Sequence, residues 1–125
     1  MSILNYSILN ALIIDDELDI CYLLGSILKQ NNITCSFVNT IIDAPRALLN
    51  NIPNMVFLDN HLPDGMGIDF IQYIKVNYPN SKIVMISAHD STVEKQTAFG
   101  RGADIFLGKP FNKAAITTLV NTLFN

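Results

Sequence analysis

Four short apolar runs in this chain each end at a residue that can bind a phosphate or a metal ion. Such runs are typical of strands buried on both faces of a parallel sheet that is covered by helices. Because the carboxyl ends of parallel strands meet at one edge of the sheet, the residues after the runs are expected to share a site. These residues are Asp15 and Asp16 after residues 11–14, Asp59 after 55–58, Ser87 after 83–86, and Lys109 after 105–108. Three carboxylates, a hydroxyl and an ammonium together suit a divalent metal ion and a phosphoryl group.

The three carboxylates would repel one another in a site without a cation. Such repulsion favours cation binding, or a proton held with a raised pKa. Mg²⁺ fits best, because it takes oxygen ligands and is commonly bound by one or two carboxylates together with a substrate phosphate. Four of the residues also have a simpler interpretation: Asp16 and Ser87 as helix caps, Asp59 as a turn residue, and Lys109 as a solvated charge. None of these explains Asp15. These separate interpretations do not explain four such residues at the corresponding ends of four strands.

Length and composition indicate one folded domain, residues 1–125 with a core from about residue 9. Of the 125 residues, 50% are hydrophobic and 15% are charged, as in ordinary globular proteins. The formal net charge of −3, without a lysine or arginine cluster, gives no indication of nucleic-acid binding. Neither a signal peptide nor a membrane span is predicted, so the chain is expected to be cytoplasmic. Cys21 and Cys35 lack CxxC spacing and are expected to be reduced and buried.

Strand and helix patterns alternate along the whole chain, which predicts a doubly wound parallel α/β sheet. The predicted strands are 11–14, 33–38, 54–59, 82–87 and 104–107, and the predicted helices are about 17–31, 42–51, 67–78, 91–100 and 113–124. The second strand is less apolar than the others and is expected near an edge of the sheet. The helix at 91–100 is the least apolar, with Val93, Ala98 and Phe99 as its apolar residues. It is therefore expected to be mobile or to contact a partner.

With these residues the chain resembles the receiver domain of bacterial two-component response regulators, including the single-domain chemotaxis and sporulation regulators. The resemblance extends from about residue 9 to residue 125. The motifs that carry it are Asp15-Asp16, Asp59 followed by Pro63 and Gly67, Ser87-Ala88, Gly102-Ala103-Asp104, and Lys109-Pro110-Phe111. The resemblance implies a flavodoxin-like fold of five βα units with the strand order 2-1-3-4-5.

The resemblance also implies a phosphoacceptor and a metal site. Asp59 would be the nucleophile that takes a phosphoryl group from a phosphohistidine on a histidine kinase or a histidine phosphotransfer protein. Mg²⁺, with Mn²⁺ as an alternative ion, would be the cofactor. Asp16, Asp59 and the backbone carbonyl of His61 would bind the ion directly, and Asp15 would bind it mostly through water.

Further residues would contact the phosphoryl group or respond to it. Lys109 would pair with Asp59 before transfer and with a phosphate oxygen afterwards. The Ser87 hydroxyl and the backbone N–H of Ala88 would contact the remaining oxygens. In the family, a ring on the fifth strand turns inward as the loop after Ser87 shifts, and the corresponding residue here is Phe106. It stands where many relatives carry tyrosine, so it lacks the hydroxyl that reports activation, and a plain core role is an equally good interpretation.

Two histidines follow the proposed phosphate-binding residues. His61 comes two residues after Asp59, and His89 comes two residues after Ser87. At these positions side chains can shape the access of water to the phosphate, so one or both histidines are hypothesised to tune the lifetime of phosphorylated Asp59. A histidine in a loop is more often a bystander, and that alternative stays open.

The expected function is Mg²⁺-dependent acceptance of a phosphoryl group that changes the surface formed by the last helices and strand, roughly residues 87–124, for binding of an effector. The chain would catalyse its own phosphorylation from small donors and its own dephosphorylation, with no turnover of an external substrate. It is expected to be a monomer or a weak homodimer that binds neither membranes nor nucleic acid directly. It would be either a stand-alone regulator or part of a larger regulator or hybrid kinase.

Three alternatives were weighed against this function. A phosphohydrolase of the haloacid dehalogenase type also uses an aspartate nucleophile and Mg²⁺, but it needs an acid two residues beyond the nucleophile, where this chain has His61. A degenerate receiver could act as a binding module, although the complete set of site residues argues against it. A flavodoxin-like cofactor binder would need a phosphate-binding loop after the first strand, where the acidic run 15–17 would repel a phosphate.

Overall fold

A computed structural model describes residues 8–124 of the chain, and the predicted domain also includes residues 1–7 and Asn125, which lie outside the described residues. The strands of the main sheet are β1 (Leu9–Ile14), β2 (Ile33–Val38), β3 (Met55–Asp59), β4 (Lys82–Ser87) and β5 (Ile105–Gly108). The helices are α1 (Leu18–Gln30), α2 (Ala44–Asn50), α3 (Ile71–Asn77), α4 (Thr92–Arg101) and α5 (Lys113–Phe124). Within residues 8–124, no helix has both the length and the apolar character that crossing a membrane requires.

The five strands form one parallel sheet in the order β2-β1-β3-β4-β5, which confirms the predicted flavodoxin-like α/β fold. β1 lies between β2 and β3, so the chain first extends the sheet to one side of β1 and then to the other. In open α/β sheets, ligands bind beyond the carboxyl ends of the strands at such a switch point. The fold therefore forms a crevice where the chain leaves β1 and β3.

Alternating side chains of the central strands fill two cores, one on each face of the sheet. Ala11 and Ile13 of β1 pack with buried residues of α1 and α5 on one face. Leu12 and Ile14 pack with buried residues of α2, α3 and α4 on the other face. A strand covered on both faces has no solvent-facing side, which explains why the central strands are continuous apolar runs in the sequence.

The helix predicted over 67–78 begins later in the structure than in the prediction. A short antiparallel hairpin, His61–Leu62 with Gly65–Met66, comes first, and a 3₁₀ turn at Gly67–Asp69 precedes α3. The backbone N–H of Gly67 donates to the carbonyl oxygen of Asn60 (2.8 Å), and that of Ile68 donates to Asn60 Oδ1 (3.0 Å). These bonds hold the segment against the end of β3, so regular helix begins only at Ile71.

The prediction that both cysteines are buried is wrong for Cys35. Cys21 in α1 is buried and Cys35 in β2 is exposed, and both are free thiols. β2 is the edge strand that the sequence predicted, and its residues 34–37 are exposed. An edge strand is covered less completely than a central one, and the short cysteine side chain stays accessible there.

α4 contributes least to the core, because Ala98 is its only buried residue. Val93 and Phe99, two of its three predicted apolar residues, are exposed. Its C-terminal end is nevertheless fixed, since the N–H of Ala103 donates to the carbonyl of Ala98 (3.0 Å) just before β5. Gly102 makes this connection possible with a left-handed φ of 116°.

Gly67 is predicted to be the glycine at which a methyl group is tolerated least. A Cβ there would overlap the backbone carbonyl of Asp59. We expect Gly67→Ala to lower the free energy of unfolding by roughly 1–3 kcal/mol, the usual cost of overpacking. Urea denaturation monitored by circular dichroism measures the effect.

Gly100→Ala is the matched control. Gly100 lies within α4, and an added Cβ has no neighbour within 4 Å. The same change should therefore stabilise the protein by up to about 1 kcal/mol through helix propensity. Equal effects of the two variants would contradict this account of the loop at Gly67.

Candidate functional site

The carboxyl ends of β1, β3, β4 and β5 bring the sequence-predicted residues to one edge of the sheet. Asp59 and Ser87 are the last residues of β3 and β4, while Asp15 and Lys109 follow β1 and β5 directly. Asp15, Asp59 and Ser87 are buried, so the rigid sheet rather than a loose loop positions these side chains. Lys109 is also largely covered, with 9% of its side chain exposed.

The Lys109 ammonium is the centre of the acidic crevice. Its Nζ lies 2.8 Å from Asp15 Oδ2, 2.8 Å from Glu17 Oε1 and 3.5 Å from Asp59 Oδ1. One cation thus faces three carboxylates, and the cluster keeps an excess of negative charge when all are ionised. The resemblance implied Asp59 as the partner of Lys109. In this structure Lys109 is closer to Asp15 and Glu17 than to Asp59.

Glu17 is a member of the acidic cluster that the sequence analysis did not assign. The carboxylates of Asp15, Glu17 and Asp59 each offer an oxygen within 4.8 Å of the others, whereas Asp16 is exposed and is not part of this group. The Glu17 N–H donates to Asp15 Oδ1 (2.9 Å), and this turn leads the chain from β1 into α1. The acidic run 15–17 in the sequence indicates a cluster of carboxylates, but the position of Glu17 at the predicted start of α1 does not show that its side chain faces the crevice.

Asp15 has one carboxylate oxygen without a hydrogen bond of normal geometry. Asp15 Oδ2 is fully buried and accepts no such bond from the described residues, although the Lys109 ammonium is close enough for an ion pair. A buried carboxylate needs compensating charge or hydrogen bonds. A metal ion in the crevice would be a second positively charged partner for this oxygen, beside Lys109.

Burial raises the pKa of both buried carboxyls, Asp15 and Asp59. Desolvation, and then the charge of Asp15, raise the pKa of Asp59 from 3.8 to about 6, against the opposing effect of Lys109. Desolvation likewise raises the pKa of Asp15. Burial alone would lower the pKa of Lys109, but its close contacts with the Asp15 and Glu17 carboxylates outweigh burial, and the net shift is upward. The ammonium therefore stays charged, while the ionised forms of Asp15 and Asp59 are destabilised.

Ser87 belongs to a second hydrogen-bonded group on the other side of Asp59. Its hydroxyl donates to Glu94 Oε1 (2.8 Å) and accepts from the N–H of His89 (3.0 Å). Asn60 Nδ2 donates to the same Glu94 oxygen (2.8 Å), and His61 Nε2 lies 3.6 Å from it. Glu94 is not among the site residues predicted from the sequence. Glu94 lies three residues after Ser91, which is the spacing of a helix capping box, and this spacing is the sequence feature that could have identified it.

The remaining sequence-predicted residues lie around this group. Ala88 is exposed directly after Ser87. The exposed rings of His61 and His89 meet edge to face, with centroids 4.5 Å apart. Phe106 is half-buried against the core face that carries α4, and the Lys95 ammonium of that helix lies 6.0 Å from its ring centroid.

The raised pKa of Asp59 leads to a prediction for the metal-free protein. A carboxyl with a raised pKa in the folded state stabilises the fold below its ordinary pKa, and that contribution is lost as pH rises through the folded pKa. A shift from 3.8 to about 6 corresponds to roughly 3 kcal/mol. In EDTA, Asp59→Asn should therefore raise the free energy of unfolding at pH 7.5 by up to about that amount, and by little at pH 4.

Urea denaturation of both proteins from pH 4 to 8 measures this difference. Asp19→Asn is the control, because Asp19 is an exposed acid in the first turn of α1. The explanation would be wrong if Asp59→Asn destabilised the protein at pH 7.5, or if the difference did not change with pH.

Comparisons with known proteins agree with this geometry. Residues 11–121 match the response regulator receiver domain. The chain is 34% identical over 112 residues to the response regulator protein PilR of Pseudomonas aeruginosa, a match that covers 90% of this chain and 25% of PilR. It is 34% identical over 103 residues to the nitrogen assimilation regulatory protein NtrX of Azorhizobium caulinodans, covering 81% of this chain and 23% of NtrX. The chain thus spans about a quarter of the length of these relatives.

Solved structures show the same fold. The beryllofluoride-activated NtrC4 receiver domain dimer superposes with a TM-score of 0.87 at 30% identity, covering 92% of this chain and 95% of that one. A two-component response regulator from Clostridium difficile superposes with a TM-score of 0.88 at 24% identity, covering 92% and 94%.

The acidic pocket formed by Asp15, Glu17 and Asp59 fits the acceptance of a phosphoryl group. Neither a phosphohydrolase of the haloacid dehalogenase type nor a degenerate receiver that only binds a partner is supported. The sequence match, the shared fold and the acidic crevice all lead to one assignment. The chain belongs to the response regulator receiver domain family.

Proposed function

We propose that Asp59 is the phosphoacceptor of this receiver domain. The observation that carries the proposal is the position of its buried carboxylate, 3.5 Å from the Lys109 ammonium and grouped with two further carboxylates at the switch point of the sheet. Transfer of a phosphoryl group depends on positioning and on neutralising negative charge. A carboxylate fixed at the end of a buried strand provides the first, and the adjacent ammonium provides part of the second.

The donor would be a phosphohistidine on a histidine kinase or a histidine phosphotransfer protein. An Asp59 oxygen would form the new O–P bond while the N–P bond of the donor breaks, and the electron pair of that bond would return to the imidazole nitrogen. The Lys109 ammonium would contact one phosphate oxygen. The Ser87 hydroxyl and the Ala88 N–H would donate to the others, because Ser87 ends β4, the strand paired with β3, and Ala88 follows it directly.

The crevice fits Mg²⁺ as the cofactor, with Mn²⁺ as an alternative ion. It offers hard oxygen donors, an excess of negative charge and the buried Asp15 Oδ2, which accepts no hydrogen bond of normal geometry. Asp15, Asp59 and the backbone carbonyl of His61 would hold the ion, with Asp16 as the further predicted ligand. When bound, Mg²⁺ supplies positive charge that screens the carboxylates from the incoming phosphate.

An apolar surface beside the crevice supports the docking of a protein donor. Leu18 and Tyr22 of α1 and Phe37 of β2 are all exposed, and the rings of Tyr22 and Phe37 meet edge to face at 5.8 Å. Leu18 directly follows Glu17 of the acidic cluster. A partner that covers this surface would therefore bring its phosphohistidine close to Asp59.

The output of the domain would be a change in the surface formed by α4, β5 and α5, which binds an unidentified effector. Phosphorylation adds about −1.5 to −2 charges beside Ser87 and the loop that leads into α4. Phe106 would turn inward as that loop moves. The net charge of −3 supports a protein effector rather than direct nucleic-acid binding, and the two free thiols accord with a reducing cytoplasm. A monomer or a weak homodimer would suffice for this role.

Phosphorylation at Asp59 is tested by intact-mass spectrometry. Treatment with acetyl phosphate and Mg²⁺ should add the mass of one phosphoryl group to the wild type, and EDTA should prevent the addition. Asp59→Asn should show no addition, whereas the exposed control Asp19→Asn should behave as the wild type. A phosphorylated Asp59→Asn variant would refute the assignment of the acceptor.

His61 and His89 are proposed to lengthen the lifetime of phosphorylated Asp59. Their paired rings lie on the two loops that flank the acceptor, and the backbone N–H of His61 bonds to the Asp59 carboxylate. Removal of either ring should give water easier access, so His61→Ala and His89→Ala should speed the decay of the phosphorylated form severalfold. Decay rates measured from pH 6 to 8 test this, and rates equal to that of the wild type would rule it out.

A further inference from the structure

Glu94 joins the two loops that flank Asp59. A single oxygen, Oε1, accepts hydrogen bonds from the Ser87 hydroxyl at the end of β4 and from the Asn60 amide just after β3, each at 2.8 Å. His61 Nε2 lies 3.6 Å from the same oxygen. The Glu94 side chain is only 15% exposed, so these bonds are largely shielded from water. A shielded carboxylate with two donors is a stronger contact than a surface pair.

The backbone of Glu94 takes part in the capping of α4, while its side chain forms hydrogen bonds with residues of the site. Its N–H donates to the Ser91 hydroxyl (3.2 Å), which is one half of a capping box. In the other half, the glutamate side chain would return to the N–H of the capping residue. Here the carboxylate instead accepts from Ser87 and Asn60. Because Ala98 is the only buried residue of α4, the contact of Glu94 is a principal connection between the first turn of this helix and the site.

The hydroxyl of Ser87 cannot donate to Glu94 and to a phosphoryl group at the same time. A serine hydroxyl has one hydrogen to donate, and in this structure Glu94 receives it. A phosphoryl group on Asp59 would compete for that hydrogen. It would also bring about −1.5 to −2 charges close to the Glu94 carboxylate, and like charges in a shielded site repel one another strongly.

We propose that Glu94 is a latch of the unphosphorylated state. It is a positioning residue that acts through Ser87: its carboxylate holds the hydroxyl away from the acceptor and holds the first turn of α4 against the site. Phosphorylation withdraws the hydroxyl and expels the carboxylate, so the first turn of α4 is released. This inference rests on the proposed phosphorylation of Asp59.

The latch is tested by titrating beryllofluoride, as a phosphoryl analogue, into the Mg²⁺-loaded protein and following binding by fluorine NMR. Glu94→Ala removes the competing acceptor and should lower the half-saturating beryllofluoride concentration about tenfold, equivalent to roughly 1.4 kcal/mol. Glu94→Gln keeps a carbonyl oxygen for Ser87 and Asn60 and should give a smaller shift. Gln96→Ala, an exposed change on the same helix, should leave the concentration unchanged.

The same titration in a Ser87→Ala background separates a latch from general loosening of α4. Because the latch acts through the Ser87 hydroxyl, most of the gain from Glu94→Ala should disappear when that hydroxyl is absent. The proposal would be overturned if Glu94→Ala bound beryllofluoride with an affinity equal to or weaker than that of the wild type. A gain that persists undiminished without the hydroxyl would overturn it as well.

Hydrogen exchange gives a second, independent measurement. Without beryllofluoride, the amides of residues 92–95 should exchange in Glu94→Ala as fast as they do in the beryllofluoride-bound wild type, while the α5 amides should not change. Exchange as slow as in the free wild type would contradict the release of the first turn. Failure of the wild type itself to bind beryllofluoride would instead refute the proposed function.

Discussion

The attraction between one ammonium and three carboxylates at the switch point of the sheet is the constraint on which the site depends. Lys109 arrives from β5 and the carboxylates arrive from β1, the first turn after it, and β3. Elements at both ends of the chain must therefore fold before the charges can be balanced. The balance is incomplete, because Asp15 keeps a buried oxygen without a normal hydrogen bond and Asp59 has a raised pKa. The stability of the scaffold in the two hydrophobic cores offsets the electrostatic cost of the site.

The fold and most of the site could be predicted from the sequence for one physical reason. Strands buried on both faces must be apolar throughout, so their ends are visible as abrupt changes from apolar to polar residues. Those changes identified Asp15, Asp59, Ser87 and Lys109 as neighbours, and the parallel topology brings them together. The edge position of β2 was also visible in its weaker apolar pattern.

What the sequence did not reveal depends on local turns and side-chain directions. Glu17 joins the acidic cluster while Asp16 is exposed, because the turn from β1 into α1 decides which carboxylate faces the crevice. The role of Glu94 arises only when α4 lies beside the ends of β3 and β4. The exposure of Cys35 depends on how much of an edge strand its neighbours cover. Alternation of strands and helices in the sequence contains none of this information.

The firm attachment of the C-terminal end of α4 determines how that helix can move. The buried Ala98, the left-handed Gly102 and the bond from Ala103 tie this end to β5, while the opposite end is held mainly through polar contacts. A displacement of α4 would therefore be a pivot about its C-terminal end and not a translation. Ten residues span about 15 Å, so a tilt of about 10° would carry the first turn through roughly 2.6 Å. If the first turn is released as proposed, a lever of this length would convert the loss of one hydrogen bond into a displacement large enough for a partner protein to detect.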